Sequence, residues 1–262
     1  MNLDLSNRTA LVCGASQGLG AAVAKELALL GANIILLARN EIKLQNTMAS
    51  LDESKNQSHQ YIVADTTRPV ELVEKINLYL ATGKPIDILV NNSGGPAAGN
   101  LLDTPASEME MAFKSHLIVS HLLAQAIVPF MKQKGFGRII NIVSTSIKQP
   151  INGLGISNTV RAAVANWAKT LANEIGVYGI TVNNVLPGYT KTERLDYLFS
   201  KQADGANTTK NEILQRTLAL IPAGRLGEPE EFGAAVAFLC SPAAAYINGI
   251  NLPVDGGRLC GL

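Results

Sequence analysis

The chain has 262 residues, of which 47% are hydrophobic and 16% are charged, and its formal net charge is +1. A nearly neutral chain with both signs of charge interspersed lacks the basic surface of a nucleic-acid-binding or membrane-surface protein, and we expect no apolar run long enough to span a bilayer. The three cysteines are not at metal-ligand spacing, which argues against a disulfide framework or a metal site and leaves small molecules as the expected partners.

The N-terminal sequence MNLDLSNRTALVCG has no basic segment, carries Asp4 early and has only a short apolar stretch. These features are not those of a signal peptide. With the odd number of cysteines, they predict a reducing, cytoplasmic location. No linker or break in composition divides the chain, so we expect a single domain over residues 1–262.

Seven short runs rich in β-branched and aliphatic residues predict buried strands. The segments between them place apolar residues at helical spacing, as in Val160, Val164 and Leu171. Such alternation favours parallel strands joined by right-handed crossovers, so we predict an α/β protein with a doubly wound Rossmann fold, a parallel sheet flanked by helices. The predicted strands are 9–13, 33–38, 61–64, 86–90, 138–143, 181–185 and 251–254.

A glycine-rich turn follows the first predicted strand and leads into a helical segment. Glycines let the backbone turn sharply and approach a pyrophosphate, while the helix N-terminus supplies free N–H groups and a favourable dipole. A strand before and a helix after are the context that this motif requires. The sequence therefore predicts a dinucleotide cradle made of Gly14, Ser16, Gln17, Gly18, Leu19 and Gly20.

Arg39 follows the second predicted strand. A site selective for NAD typically places an acidic side chain near this point, to accept hydrogen bonds from the ribose hydroxyls. An arginine there can hold a 2′-phosphate bidentately, which favours NADP(H) over NAD(H). An ordinary surface arginine is the alternative interpretation.

Residues 200–211, SKQADGANTTKN, form the longest polar interruption in the chain. The segment predicts a loop, either a solvated surface loop or a mobile lid over a substrate. It lies within the stretch 189–217, which we consider a possible substrate loop.

Several segments together resemble the short-chain dehydrogenase/reductase family, particularly the bacterial 3-oxoacyl-acyl-carrier-protein reductases. They cover nearly the whole chain: CGASQGLG, Ala64-Asp65, LVNNSG, GRIINIVS, NNVLPGYTKT, IPAGRLGEPEEFGAAVAFL and VDGG. The resemblance implies hydride transfer between a nicotinamide cofactor and a carbonyl or secondary alcohol. It also implies a homo-oligomer, either a tetramer or a dimer.

The same resemblance assigns residues to the cofactor. Gly14, Gly18 and Gly20 are expected at its phosphates and Asp65 by its adenine, and the neighbouring Thr66 is also assigned to the cofactor. Asn92 and Gly94 are expected to flank the cofactor, and Pro187, Gly188 and Thr192 to lie near the nicotinamide carboxamide.

The family's catalytic residues are only partly present. The family uses an Asn-Ser-Tyr-Lys tetrad, in which the tyrosine exchanges a proton while the lysine lowers the tyrosine pKa and grips the ribose. Ser144 matches the serine, but the tyrosine and lysine positions hold Ser157 and Arg161. The asparagine position holds His116. These four residues are our catalytic candidates, and Arg161 is also a candidate for the cofactor ribose.

The substitutions change the chemistry. Arginine, with a pKa above about 12, is a poor proton donor, and an aliphatic hydroxyl is a weaker acid than a phenol. Residues four apart on a helix share a face, so we expect Ser157 and Arg161 both to look into the cleft.

Three interpretations remain open at this point. In the first, the chain is an oxidoreductase in which Arg161 stabilises an oxyanion while water, His116 or Tyr189 delivers the proton. His116 and Tyr189 are equally interpretable as packed structural residues. In the second, the chain binds NADP(H) without turnover, as a sensor or scaffold. In the third, the cleft binds an anion, with Lys148 as a further cation beside Ser144, Ser157 and Arg161.

Overall fold

Seven strands pair in parallel in the order β3-β2-β1-β4-β5-β6-β7 in the computed structural model, which describes residues 1–261. Each predicted strand is present, with ends within two residues of those expected, and the predicted fold class is confirmed. The strands are β1 (Thr9–Cys13), β2 (Asn33–Ala38), β3 (Gln60–Val63), β4 (Ile88–Asn91), β5 (Gly137–Ile142), β6 (Ile180–Pro187) and β7 (Asn251–Val254).

Helices connect the strands and cover both faces of the sheet. A π-helical turn, Lys114–Ile118, joins the fourth helix to the fifth. Over residues 1–261 the α-helices are α1 (Gly18–Leu29), α2 (Glu41–Met48), α3 (Pro69–Leu80), α4 (Ala106–Phe113), α5 (Val119–Lys134), α6 (Gly155–Ile175), α7 (Glu193–Gly205), α8 (Lys210–Leu218) and α9 (Pro229–Cys240).

The sheet separates two apolar cores, and β1 shows the alternation that creates them. Ala10 and Val12 pack on the face covered by α1 and α9. Leu11 and Cys13 pack on the other face, against α3, α5 and α6. Successive side chains of a strand point to opposite faces, so a strand buried on both faces is predominantly apolar.

One helical stretch, Ala106–Lys134, is long and apolar enough to cross a membrane by length and composition, with a mean hydropathy of 1.3 in its most apolar window. Our expectation that no stretch would meet this criterion was therefore wrong. Half of that window is buried inside the protein. Leu123, Ile127 and Met131 pack in the core beside the sheet, so the stretch is explained as a core helix.

Residues 200–211 are not the continuous loop that we predicted. The segment contains the end of α7 and the start of α8, so the stretch 189–217 is largely a pair of helices. Leu195, Phe199 and Ile213 form a small apolar cluster that joins the two helices. The prediction failed because all three of these residues lie outside the polar segment that suggested a loop.

Candidate active site

Most candidate residues gather at the carboxyl edge of the sheet. Gly14 follows β1, Asn92 follows β4, Ser144 follows β5 and Gly188 follows β6. The crevice outside this edge is where open α/β sheets bind their ligands, because the strand order reverses there. Here the reversal lies between β1 and β4, whose chain continuations run in opposite directions across the sheet.

The glycine-rich turn is packed too closely for side chains. Gly14 has a φ of +60°, and a Cβ added there would lie 2.7 Å from Asn92 Nδ2. A Cβ on Gly20 would overlap the carbonyl oxygen of Gly14 and lie 2.9 Å from the same amide. Asn92 Nδ2 donates to that carbonyl at 3.4 Å, which ties the turn to the loop after β4.

The N-terminus of α1 is left open for a ligand. Gln17 is the N-cap residue, but its side chain accepts no hydrogen bond from the first turn of the helix. It donates instead to Glu193 Oε2 at 2.9 Å and accepts from Lys43 Nζ. The open N–H groups and the positive end of the helix dipole suit a pyrophosphate, with Ser16 and Leu19 in the same turn.

Arg39 lies at the end of β2, beside the end of β3. Its side chain is 74% exposed, and its Nη1 atom is 4.0 Å from Asp65 Oδ2. Such an exposed contact holds the guanidinium only weakly, leaving it able to turn toward a bound ligand. Thr66, next to Asp65, lines a small cavity together with His116 and Arg161.

The remaining cofactor candidates frame the opposite side of the crevice. A Cβ added at Gly188 would lie 2.5 Å from Asp255 Cα, so only glycine fits there. Pro187 ends β6 immediately before it. Thr192 lies over the glycine turn, since a Cβ at Gly18 would be 3.6 Å from its methyl carbon. Gly94 is exposed in the loop after β4.

Arg161 is fixed under the end of β5. It is buried in α6, and its Nη1 atom donates to the carbonyl oxygen of Ile142 at 2.5 Å. Ser144 is half-buried two residues after Ile142, and its hydroxyl accepts from the Ser146 N–H at 3.0 Å. Ser157 is half-buried one turn earlier on α6. We expected both Ser157 and Arg161 to look into the cleft, but of the two only Arg161 lines the small cavity beside His116.

His116 lies in the π-helical turn between α4 and α5, a rare feature that often marks a functional site. Its ring is buried, and Nδ1 lies 2.6 Å from the hydroxyl of Ser93. Its Nε2 atom has no hydrogen-bond partner among residues 1–261. The histidine is thus neither exposed nor fully satisfied.

Burial and the nearby positive charge of Arg161 lower the pKa of His116 to about 3. Burial, followed by the positive charge of Arg194, lowers the pKa of Arg161 to about 10. At neutral pH the imidazole is therefore neutral and the guanidinium is charged. Proton delivery by His116 would therefore start from the neutral imidazole.

A small cavity of about 20 Å³ lies between His116, Arg161 and the ends of β4 and β5, which is room for about one water molecule. Asn91 lines it, and its buried Oδ1 atom also lacks a partner in the described chain. A water there would satisfy both Asn91 Oδ1 and His116 Nε2, which otherwise carry an energetic penalty.

Asn91 also begins a ladder of amide side chains across four neighbouring strands. Each Nδ2 donates to the next Oδ1, from Asn91 to Asn141 (2.8 Å), Asn184 (3.0 Å) and Asn251 (2.8 Å). Because every amide points the same way, the bonds polarise one another and strengthen Asn91 Oδ1 as an acceptor.

Sequence reasoning missed three residues at this site. Ser93 lies in LVNNSG, where the family has alanine, and it contacts His116, itself a departure from the family pattern. These two departures from the family pattern could have identified the Ser93–His116 pair from the sequence. Arg194 and Arg258 gave no motif signal and are recognisable only by position. Lys148, the cation that we had considered, is exposed and has no ion-pair partner among residues 1–261.

Residues 14–258 match the family model described as enoyl-(acyl carrier protein) reductase. The 3-oxoacyl-[acyl-carrier-protein] reductase FabG of Vibrio cholerae is 34% identical over 258 residues, covering 97% of this chain and 98% of the relative. The chain belongs to the short-chain dehydrogenase/reductase family. The resemblance inferred from its motifs is thus confirmed.

Other short-chain dehydrogenase/reductases are similar over the same span. Gluconate 5-dehydrogenase of Gluconobacter oxydans is 32% identical over 254 residues, covering 97% of this chain and 95% of the relative. L-Sorbose reductase from Gluconobacter frateurii, solved with NADPH and L-sorbose, superposes with a TM-score of 0.93 at 30% identity, and both chains are covered completely. One of these relatives is a dehydrogenase and the other is a reductase, so both are oxidoreductases.

Proposed function

We propose that this short-chain dehydrogenase/reductase transfers a hydride between NADP(H) and a carbonyl or secondary alcohol, using a non-standard proton route. The observation that carries the proposal is a tightly packed cofactor cradle on the same sheet edge as Ser144, Arg161 and the Ser93–His116 pair. Similar proteins solved with NADPH or NADP support the choice of cofactor.

The residues present fit a nicotinamide dinucleotide. The turn Gly14–Gly20 would hold the pyrophosphate, because glycines let a ligand approach the backbone closely. No side chain fits at Gly14 or Gly20. Arg39 would bind the 2′-phosphate and discriminate against NAD(H). The bound nicotinamide supplies or accepts the hydride. Arg161, under the end of β5, would donate hydrogen bonds to the ribose or to the developing alkoxide.

Ser144 would donate a hydrogen bond to the substrate carbonyl, and in reduction the carbonyl oxygen must also gain a proton. We assign that delivery to Ser93, whose hydroxyl is 2.6 Å from His116 Nδ1. A neutral imidazole accepts a proton at one nitrogen while it releases one from the other, so His116 relays protons without becoming an imidazolium. In this relay Ser93 would give its proton to the substrate oxygen and take one from His116 Nδ1, while Nε2 would take one from a water in the cavity. Solvent would then reprotonate the hydroxide that remains.

The first experiment is calorimetric titration of the purified protein with NADPH, NADP⁺, NADH and NAD⁺, followed by steady-state assays with NADPH and a panel of activated ketones. We expect tight binding of the two phosphorylated cofactors and measurable ketone reduction. Binding without turnover of any ketone would refute the enzymatic proposal.

The proton route has its own test. Ser93→Ala should lower kcat by about 100-fold, the scale of a lost acid–base group, without changing the Kd for NADPH. Ser107→Ala, on the exposed surface of α4, is the matched control and should behave as the wild type. Equal rates for the two variants would show that protons do not pass through Ser93.

Binding of NADP(H) without turnover is the second candidate function. It is favoured by one observation: the candidate residues include no group that titrates near neutral pH, because His116 has a pKa of about 3 and Arg161 one of about 10. The assays above separate the two functions directly.

We also propose that the chain acts as a cytoplasmic homo-oligomer. Leu102, Met111 and Ile118 are exposed on or near the α4–α5 face, and Tyr246 is exposed near the C-terminus, a pattern that favours subunit contacts. The reducing location is consistent with free cysteines at positions 13, 240 and 260. Light scattering after size-exclusion chromatography would test the oligomer.

A further inference from the structure

Three arginines surround the place where a substrate would meet Ser144. Arg161 lies below it, bound to the carbonyl oxygen of Ile142. Arg194, on α7, reaches the loop after β4 and donates to the carbonyl oxygen of Pro96 at 2.9 Å. Arg258 donates to the hydroxyl of Thr145 at 3.2 Å, directly beside Ser144. The three come from different elements and converge on one edge of the sheet.

None of these three arginines has a carboxylate within ion-pair distance among residues 1–261. Their partners are neutral: carbonyl and hydroxyl oxygens, together with the rings of Tyr197 under Arg194 (5.6 Å) and Tyr189 under Arg258 (4.9 Å). Of the other six arginines, only Arg138 shares this condition. The five that pair with a carboxylate are Arg8, Arg39, Arg68, Arg216 and Arg225.

The arrangement is electrostatically unfavourable on its own. Arg161 is 91% buried, since only 9% of its surface is exposed, and Arg194 lies close enough to lower its pKa by repulsion. A buried charge without a counter-ion is destabilising. Moreover, no Asp or Glu lines the cavity beside Arg161. An anion bound here would relieve this repulsion and satisfy guanidinium N–H groups that are still free.

The cofactor phosphates do not account for all three charges. The pyrophosphate cradle follows β1, whereas Arg258 contacts Thr145 after β5, two strands away in the sheet. At strand spacings of 4.7–4.9 Å this separation is about 10 Å. Arg258 therefore faces the substrate side of the crevice, and Arg194 bridges to the loop after β4 between the two.

We propose that the substrate carries an anionic oxygen group, a carboxylate or a phosphate, bound by Arg194 and Arg258 beside Ser144. This proposal rests on the proposed hydride-transfer function and specifies its substrate class. The planar guanidinium fork matches either anion bidentately, and the neutral contacts to Pro96, Thr145 and the two tyrosine rings hold the forks in place in advance.

The substrate test uses pairs of related ketones in which only one member carries an anionic group. Acetoacetate and methyl acetoacetate form the carboxylate pair, and dihydroxyacetone phosphate and dihydroxyacetone form the phosphate pair. We expect kcat/KM for the anionic member of one pair to exceed that of its neutral member by about 10- to 100-fold, the range of one charge-assisted hydrogen bond. The pair that shows the preference identifies the anion.

Variants assign the preference to the two arginines. In Arg258→Met and in Arg194→Met the ratio of anionic to neutral kcat/KM should fall toward one, whereas Arg68→Met, at an exposed arginine that is ion-paired elsewhere, keeps the wild-type ratio. Neutral members that react as fast as anionic ones, or a ratio that neither cleft variant lowers, would overturn the proposal.

A binding measurement separates this proposal from the proposed function. NADPH-saturated protein is titrated calorimetrically with oxalate and, separately, with inorganic phosphate, in the wild type and in both methionine variants. If no ketone is reduced but either anion binds and loses at least about tenfold in affinity in the variants, the anion site stands while hydride transfer fails. If neither anion binds the wild type, the anion site is refuted whatever the activity.

Discussion

The crevice has a cofactor half, around Gly14–Gly20, and a proton half, around Ser144, Arg161 and His116. The two halves achieve their packing in different ways. On the cofactor half, the fit is made by the backbone, and Gly14 and Gly20 leave no room for even one extra carbon atom. On the proton half, the fit is made by side chains, and three of the four family residues have been replaced without disturbing β5 or α6.

This difference explains why the cofactor half keeps the residue types of the family motifs and the proton half does not. Gly14 and Gly20 cannot be replaced by larger residues, because any side chain there would overlap neighbouring atoms. A side-chain site tolerates new residues if their polar atoms find new partners, as the Ser93 and His116 side chains do with each other. Substitutions in the cofactor half should therefore weaken cofactor binding, whereas those in the proton half should change the reaction rate and leave cofactor affinity intact.

The largest effect is expected from Gly20→Ala. The added methyl group would overlap the Gly14 carbonyl oxygen and approach Asn92 Nδ2 at 2.9 Å, so the turn must open. We expect the Kd for NADPH, measured by calorimetry, to rise by at least about 100-fold, equivalent to roughly 3 kcal/mol. Gly205→Ala, where nothing lies within 4 Å, is the control. A Gly20→Ala protein with native affinity would mean that the turn does not hold the cofactor.

The next effect tests whether a side chain also matters on the cofactor half. Arg39→Ala should weaken NADPH by about 10- to 100-fold, since a charge-assisted hydrogen bond to the 2′-phosphate is lost, and leave NADH nearly unchanged. Titration with both cofactors gives the ratio. Equal losses for NADPH and NADH would contradict the 2′-phosphate assignment.

Prediction from the sequence succeeded where one physical requirement determines both the local sequence pattern and the local structure. The strands were predictable because burial on both faces requires continuous apolar runs, and the glycine turn because its spacing reflects a steric requirement. It failed for residues 200–211, where apolar partners outside the segment order the helices. It also missed Arg194 and Arg258, since convergence of distant residues leaves no local signal.

Restoring the family residues tests the proton half. Ser157→Tyr with Arg161→Lys introduces a phenol whose pKa a neighbouring lysine can lower toward neutrality. We expect kcat for ketone reduction to rise by about tenfold while the Kd for NADPH stays near its wild-type value. Arg161→Lys alone is the matched control and should not raise kcat. A folded, NADPH-binding double variant with no gain in rate would mean that the cleft has changed in more than its proton donor.

The last effect concerns stability instead of binding or rate, and separates the neutral His116 from an ordinary histidine. Its folded pKa of about 3 lies below the usual 6.5, so the unfolded chain binds one more proton between these values. This residue should therefore reduce the free energy of unfolding by about 1.4 kcal/mol for each unit that the pH falls below 6. Urea denaturation at pH 6, 5 and 4 measures the slope. His116→Asn should flatten it by about that amount, whereas Ser107→Asn, on the exposed surface of α4, keeps the wild-type slope. Identical slopes for all three proteins would place His116 in a solvated, protonatable state and remove the basis for a neutral relay.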